Sequence, residues 1–94
     1  MAVLGLVKMS KVVIYTKKVC PYCVWAKNLL RSREIPFEEI VVDVDKPASF
    51  YEDLKKRTGW STVPQIFIND KLVGGYTELK AMDDSGELQR AFSA

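Results

Sequence analysis

The sequence predicts a single α/β domain: a four-stranded mixed sheet in the order βαβαββα, flanked by helices on both faces. Three observations carry that expectation. A β-type apolar run, Val12-Val13-Ile14-Tyr15, passes through Thr16-Lys17-Lys18 into residues with helical spacing. A second apolar run, Ile40-Val41-Val42, follows a helix stop at Pro36 and precedes another helical stretch. Two short runs, Pro64 to Ile68 and Leu72-Val73, are separated by Asn69-Asp70, the spacing of a tight antiparallel hairpin.

Lys11 to Thr16 is nearly all apolar, as expected of a strand covered on both faces. The first helix runs from the Cys20-Pro21-Tyr22-Cys23 stretch to about Arg33, with Pro21 at its first position. Its periodicity predicts that Tyr22, Trp25, Ala26, Leu29 and Leu30 face inward and that Lys27, Asn28, Arg31 and Ser32 face solvent. Phe37 to Val44 reads as the second strand, and a β–α–β unit of this kind makes it parallel to the first. Asp43, Asp45 and Pro47 open the second helix, with Phe50, Tyr51, Leu54 and Thr58 inside and Gly59 as its stop. After the hairpin, Gly74-Gly75 breaks the strand and allows close backbone approach. Thr77 is expected to cap a third helix reaching Met82, and Asp84-Ser85-Gly86-Glu87 to start a last turn or two that buries Leu88 and Phe92.

A chain of 94 residues holds one core, and we assign residues 11–94 to it and residues 1–10 to an N-terminal extension. Met9 is an alternative start. The apolar stretch Ala2 to Val7 is short, has its lysine after rather than before it and lacks a small-residue cleavage pattern, so secretion is not expected. A cytoplasmic location is. With 14 basic and 12 acidic residues, the balance gives no electrostatic case for nucleic acid. No run approaches the ~18 apolar residues that would span a membrane.

Cys20 and Cys23 are the only cysteines, and the chain has no histidine. A thiol attacks as its thiolate. At the start of a helix, unpaired N–H groups and the positive dipole end favour an anion, and Lys17 and Lys18 add positive charge. Cys20 is thus expected to be the exposed nucleophile, and Cys23, one turn further in, the resolving thiol. A purely structural bridge would close only a four-residue loop and constrain the unfolded chain little. A zinc site within one chain needs four ligands, and Cys–His hydrolase chemistry needs a histidine; neither is expected, and no metal is. An iron–sulfur cluster shared between two chains remains open at this point.

With those residues in view, residues 11–92 resemble the glutaredoxin family, specifically its dithiol class. Cys20-Pro21-Tyr22-Cys23 matches the active-site motif of that class, Thr62-Val63-Pro64 its cis-proline loop and Gly74-Gly75 its glycine pair. The resemblance implies a thioredoxin-like fold, with glutathione as reductant and co-substrate. It implies a cis Val63–Pro64 peptide, with the Val63 backbone pairing with the cysteine of glutathione as strand edges pair. Lys17 corresponds to a lysine that meets a glutathione carboxylate, and Tyr22 flanks the tripeptide. Thr77, just past the glycines, would hold the γ-glutamyl carboxylate at a helix N-terminus. Thr62, Pro64, Gly75 and Tyr76 complete the implied glutathione-binding set. Tyr51, Trp60 and the segment Tyr76-Thr77-Glu78 depart from the residues usual in the family.

The implied activity is glutathione-dependent thiol–disulfide exchange on protein–glutathione mixed disulfides and protein disulfides, by a monomer. Potentials of this class lie about 40–70 mV above that of thioredoxin, so glutathione serves as reductant. Two alternatives accompany it: a redoxin reduced by thioredoxin reductase, and a dimeric [2Fe–2S] carrier. Pro21 disfavours the carrier, because cluster-binding relatives usually have Gly or Ser there.

Overall fold

The computed structural model describes residues 10–92. Its elements are β1 (Val12–Thr16), α1 (Pro21–Ser32), β2 (Glu38–Val41), α2 (Ala48–Thr58), β3 (Gln65–Ile68), β4 (Lys71–Gly74), α3 (Tyr76–Ser85) and α4 (Glu87–Ala91). The sheet order is β2-β1-β3-β4, with β1 parallel to β2 and the other two pairs antiparallel. This is the expected mixed sheet, and the last helical stretch divides in two as expected, with α3 reaching Ser85 rather than ending at Met82. The expected extension and the alternative start at Met9 lie outside the described residues, except Ser10. The Ser10 hydroxyl donates to the Ala91 carbonyl at 2.6 Å, joining the head of β1 to the end of α4.

β1 alternates, with Val12, Ile14 and Thr16 buried and Val13 and Tyr15 half-buried between them. On the first face, Val12 and Ile14 sit opposite Ile68 and Ile66 of β3. These four join Ala26 and Leu30 of α1, Leu79 of α3 and Leu88 of α4 in one core. Burying a side chain of this size stabilises by about 1.5–3 kcal/mol. On the second face, Tyr15 stacks with Phe67 and with Phe50 of α2 at 5.6 and 5.9 Å between ring centroids.

Asn69 and Asp70 both adopt positive φ, 53° and 67°, which gives the hairpin the twist of a two-residue primed turn. Asn69 also closes the end of β1: its side-chain oxygen accepts from the Lys11 N–H and its own N–H donates to the Lys11 carbonyl, both at 2.9 Å.

The second strand is shorter than expected because Asp43 and Asp45 serve the loop rather than the helix. Asp43 accepts from the Lys18 N–H at 3.0 Å and Asp45 from the Val41 N–H at 2.8 Å. Pro47 occupies the cap position of α2 without a side-chain bond. Gly59 ends α2 in the left-handed region at φ 72°, as expected.

Lys27 is not solvated as its position suggested; it bonds Glu39 of β2 at 2.9 Å, and the Thr16 hydroxyl donates to the same oxygen at 2.7 Å. Burial alone would push the Glu39 carboxyl up, but those two donors and the Arg31 charge outweigh it and hold the carboxyl below its ordinary value.

Asp83 is 8% exposed and joins three helices. Arg33 Nε and an Arg33 terminal nitrogen donate to its two oxygens at 2.7 and 2.8 Å, and Gln89 donates at 2.9 Å. The Arg33 and Gln89 bonds, against an opposing effect of burial, lower its pKa from 3.8 to about 2. Asp83→Asn should lower the unfolding free energy at neutral pH by about 1–3 kcal/mol in urea denaturation. A depressed carboxylate stabilises fully above its unfolded value, so the wild-type advantage should shrink as pH falls from above about 4 through about 2.

Candidate active site

Cys20 takes the cap position of α1 with extended backbone, φ −156° and ψ 96°, and Pro21 follows at the first helical position. This geometry turns the Cys23 N–H toward the Cys20 sulfur, 3.1 Å away. The Val24 N–H donates to the Cys20 carbonyl at 3.1 Å, the first bond of the helix. The two cysteines, 5.2 Å apart at Cα, are joined as a disulfide. Cys20 is partly exposed and Cys23 only 1% exposed. The unequal roles expected from position therefore correspond to unequal access: an incoming sulfur meets Cys20 first.

The loop before β3 faces this pair. The Val63–Pro64 peptide is cis, and the Val63 carbonyl oxygen lies 3.8 Å from the Cys20 sulfur. Three contacts fix the loop. The wholly buried Gln65 donates from Nε2 to the Trp60 carbonyl at 2.6 Å. The Tyr51 hydroxyl donates to the Ser61 carbonyl at 3.1 Å, and the Thr58 hydroxyl accepts from the Trp60 N–H at 3.1 Å.

The glycine pair supplies the opposite wall. Gly74 has φ 127°, where an added Cβ would lie 2.8 Å from Glu78 Cγ. A Cβ on Gly75 would stand 3.5 Å from the Pro64 carbonyl oxygen, so the two walls approach closely there. Thr77 is not the helix cap that the sequence suggested. Gly75 holds that position, because Glu78 reaches back from the third helical position and its Oε1 accepts the Gly75 N–H at 2.9 Å. Thr77 falls in the first turn, exposed at the groove.

Between the walls lies a groove of about 230 Å³. Of the residues the sequence singled out, Tyr22, Thr62, Val63, Pro64, Gly75, Tyr76 and Thr77 line it. Lys17 does not; its ammonium sits over the Tyr51 ring, 4.4 Å from the centroid. Trp60 and Glu78 also line the groove and were not among the site residues expected. A signal existed for each: Trp60 stands just upstream of the Thr62–Pro64 loop, and Glu78 completes a Gly-x-x-Glu capping spacing.

The inward face read for α1 needs correction at its start. Tyr22 is 54% and Trp25 51% exposed. They pack on each other and on Tyr76, with centroids 4.9, 6.2 and 5.8 Å apart, forming an aromatic rim rather than core. Among the described residues no group of three or more His, Cys, Asp or Glu could hold a metal ion, and no helix is long and apolar enough to cross a membrane.

A bridged cysteine pair at a helix N-terminus, one sulfur accessible and one buried beside a cis-proline loop, defines a thiol–disulfide oxidoreductase. Comparison with known proteins specifies which. The sequence profile of the family described as Glutaredoxin matches residues 12–73. Glutaredoxin 3 of Escherichia coli is 46% identical over 80 residues, which cover 85% of this chain and 94% of that protein. A glutaredoxin of Pseudomonas aeruginosa is 43% identical over 86 residues, covering 92% and 100%. Among solved structures, a buckwheat glutaredoxin–glutathione complex superposes with a TM-score of 0.80 at 26% identity, covering 97% of this chain and 84% of that one. The chain belongs to the glutaredoxin family, and its fold is thioredoxin-like.

The close approach at the glycine pair is open to a direct test. Gly74→Ala combines a conformation that L residues rarely adopt with a clash against Glu78. It should lower thermal stability by about 1–3 kcal/mol, and serine at Gly75, where contact is only ordinary, should cost less.

Proposed function

We propose that this oxidoreductase uses glutathione, removing glutathione from protein mixed disulfides and reducing protein disulfides. The observation that carries the reading is the Cys20 sulfur 3.8 Å from the Val63 carbonyl, beside a groove bounded by Thr62–Pro64 and Gly75–Glu78. An extended tripeptide whose cysteine pairs with the Val63 backbone presents its sulfur to Cys20. Its γ-glutamyl end then enters the groove, with Tyr22 and Tyr76 as walls and the Thr77 end of α3 toward its carboxylate. The glutathione complex of the buckwheat relative supports the choice of ligand.

In the first step the Cys20 thiolate attacks the glutathione sulfur of the mixed disulfide. The bonding pair leaves with the protein sulfur, which takes up a proton. A second glutathione thiolate then attacks the glutathione sulfur now bound to Cys20, releasing glutathione disulfide and restoring the Cys20 thiolate. One added glutathione is consumed, and the two electrons that reduce the substrate leave both glutathionyl sulfurs as a disulfide. With a protein disulfide, Cys20 forms the mixed disulfide and Cys23 expels the reduced protein, leaving the Cys20–Cys23 bridge present in this structure. The protein works as a monomer on glutathionylated and disulfide-bonded proteins in the cytoplasm, where glutathione is kept reduced.

Glutathione-coupled reduction of a glutathionylated peptide tests the reading. Cys20→Ser should lower turnover by about a thousandfold or more, since the one thiol left, Cys23, is buried away from an incoming disulfide. Cys23→Ser should keep deglutathionylation within about tenfold of wild type while losing reduction of protein disulfides. Retained activity in Cys20→Ser, or complete loss of deglutathionylation in Cys23→Ser, would show the roles to be wrong.

A further inference from the structure

Among the described residues, five large apolar side chains stay exposed: Val19, Tyr22, Val24, Trp25 and Val44. Four of the five lie within five positions of Cys20. Apolar side chains gathered at one exposed place mark a contact surface, whereas single ones scattered over a protein mark nothing. Tyr22 is accounted for as a wall of the groove. Trp25 is not: it lines no part of the groove, and its indole is the largest apolar group of the four. Tyr22 and Tyr76 hold that indole edge to face, with centroids at 4.9 and 5.8 Å, and both tyrosines line the groove. Trp25 thus continues the reactive site outward, past the point where the groove ends.

Glutathione stops where a protein chain does not. With glutathione bound as proposed, its cysteine pairs with Val63, and the γ-glutamyl group before that cysteine fills the groove. A protein chain paired in the same direction sets the residue before its own cysteine there and then runs on. An extended chain advances about 3.4 Å per residue, so one or two more residues cover the 4.9 and 5.8 Å from the Tyr22 and Tyr76 rings to the Trp25 ring. Glutathione has nothing at those positions. The two ring contacts hold the indole before a partner arrives, so little side-chain freedom is lost on binding. A tryptophan fixed in this way at the centre of a contact commonly carries much of its binding energy.

We propose that Trp25 is a specificity-determining residue for protein disulfides, a platform for a large apolar side chain two or three residues before the reacting cysteine. The partner is a protein disulfide in an extended segment with apolar residues at those positions. The proposal rests on the reading that Cys20 reduces protein disulfides. It divides the surface around the Cys20 sulfur in two. The groove takes glutathione, which every turnover uses, and the platform chooses among proteins. Replacing Trp25 therefore changes which disulfides are reduced without changing the use of glutathione.

The test uses two symmetric peptide disulfides that differ only at the second and third positions before the cysteine, Leu-Leu in one and Ser-Ser in the other. Cys20 attacks one peptide sulfur and releases the first peptide thiol, and Cys23 displaces the second. Two glutathiones then reduce the Cys20–Cys23 bridge and leave as glutathione disulfide. Hydroxyethyl disulfide, which has no residue to reach the platform, is the control. Wild type should show a kcat/KM about tenfold higher for the Leu-Leu peptide, the scale of burying one large apolar side chain. Trp25→Gln should cut that preference to about twofold or less by slowing the Leu-Leu peptide alone, with the Ser-Ser peptide and hydroxyethyl disulfide within about twofold of wild type. Equal kcat/KM for the two peptides in wild type, or an undiminished preference in Trp25→Gln, overturns the platform and leaves the reading of Cys20 standing. A parallel loss on hydroxyethyl disulfide gives Trp25 a structural role and overturns the platform as well. A wild type that reduces hydroxyethyl disulfide but neither peptide defeats the protein-disulfide reading, and the platform with it.

Discussion

The Cys23 N–H points at the Cys20 sulfur from 3.1 Å, and that contact depends on where α1 begins. Pro21 needs no N–H partner and has its φ preset for a first helical turn, so the helix starts there and Cys20 is left extended in the cap position. The sulfur then takes the place that a serine or aspartate oxygen takes at other helix starts, and it receives the same free N–H. A sulfur anion at that position is stabilised by a fixed dipole instead of by mobile water. One turn later, the helix buries Cys23 against the core. Exposure of one thiol and protection of the other are thus two consequences of a single helix start.

The rest of the fold brings a second backbone to that sulfur. β3 pairs with β1 in a register that sets Gln65 against Tyr15, and Gln65 is buried beneath the loop it follows. Its amide holds Trp60, Thr58 holds the same residue from the end of α2, and Tyr51 holds Ser61. A loop with three such ties presents the Val63 carbonyl at a fixed distance. Gly75 lies against the Pro64 carbonyl from the far side because no side chain intervenes. The proposed glutathione seat is bounded by groups whose positions are settled before any ligand arrives, which lowers the ordering cost of binding.

Much of this was legible in the sequence, and the failures have physical reasons. The order of elements along the chain, the hairpin, the Gly59 stop and the groove residues on the Thr62–Pro64 loop all followed from local chemistry or resemblance. Helical spacing also placed Ala26 and Leu30 correctly, but it set Tyr22 and Trp25 beside them. Periodicity reports which residues share a face, not how far the neighbouring elements extend, and at its first turn α1 overhangs the core. Tyr76 provides a partner there, and three aromatic rings gather at the rim. The Lys27–Glu39 bond was hidden for the opposite reason, since it needs the parallel register of β1 and β2 to set Glu39 beside Ile14. Thr77 was read as a cap because threonine often is one; Glu78 serves the Gly75 N–H instead. Asp43 and Asp45 were likewise read as caps and instead serve the loop between strand and helix.

The central claim is that the helix start makes Cys20 the reactive thiolate. Its direct test is the pH dependence of thiolate absorbance in the reduced Cys23→Ser protein, which retains the residue 23 N–H and leaves Cys20 as its sole cysteine. The account predicts a midpoint within the range of about 3.5–7.5 seen for cysteines at helix N-termini. A midpoint near about 8.5, the value of a free cysteine, would contradict it.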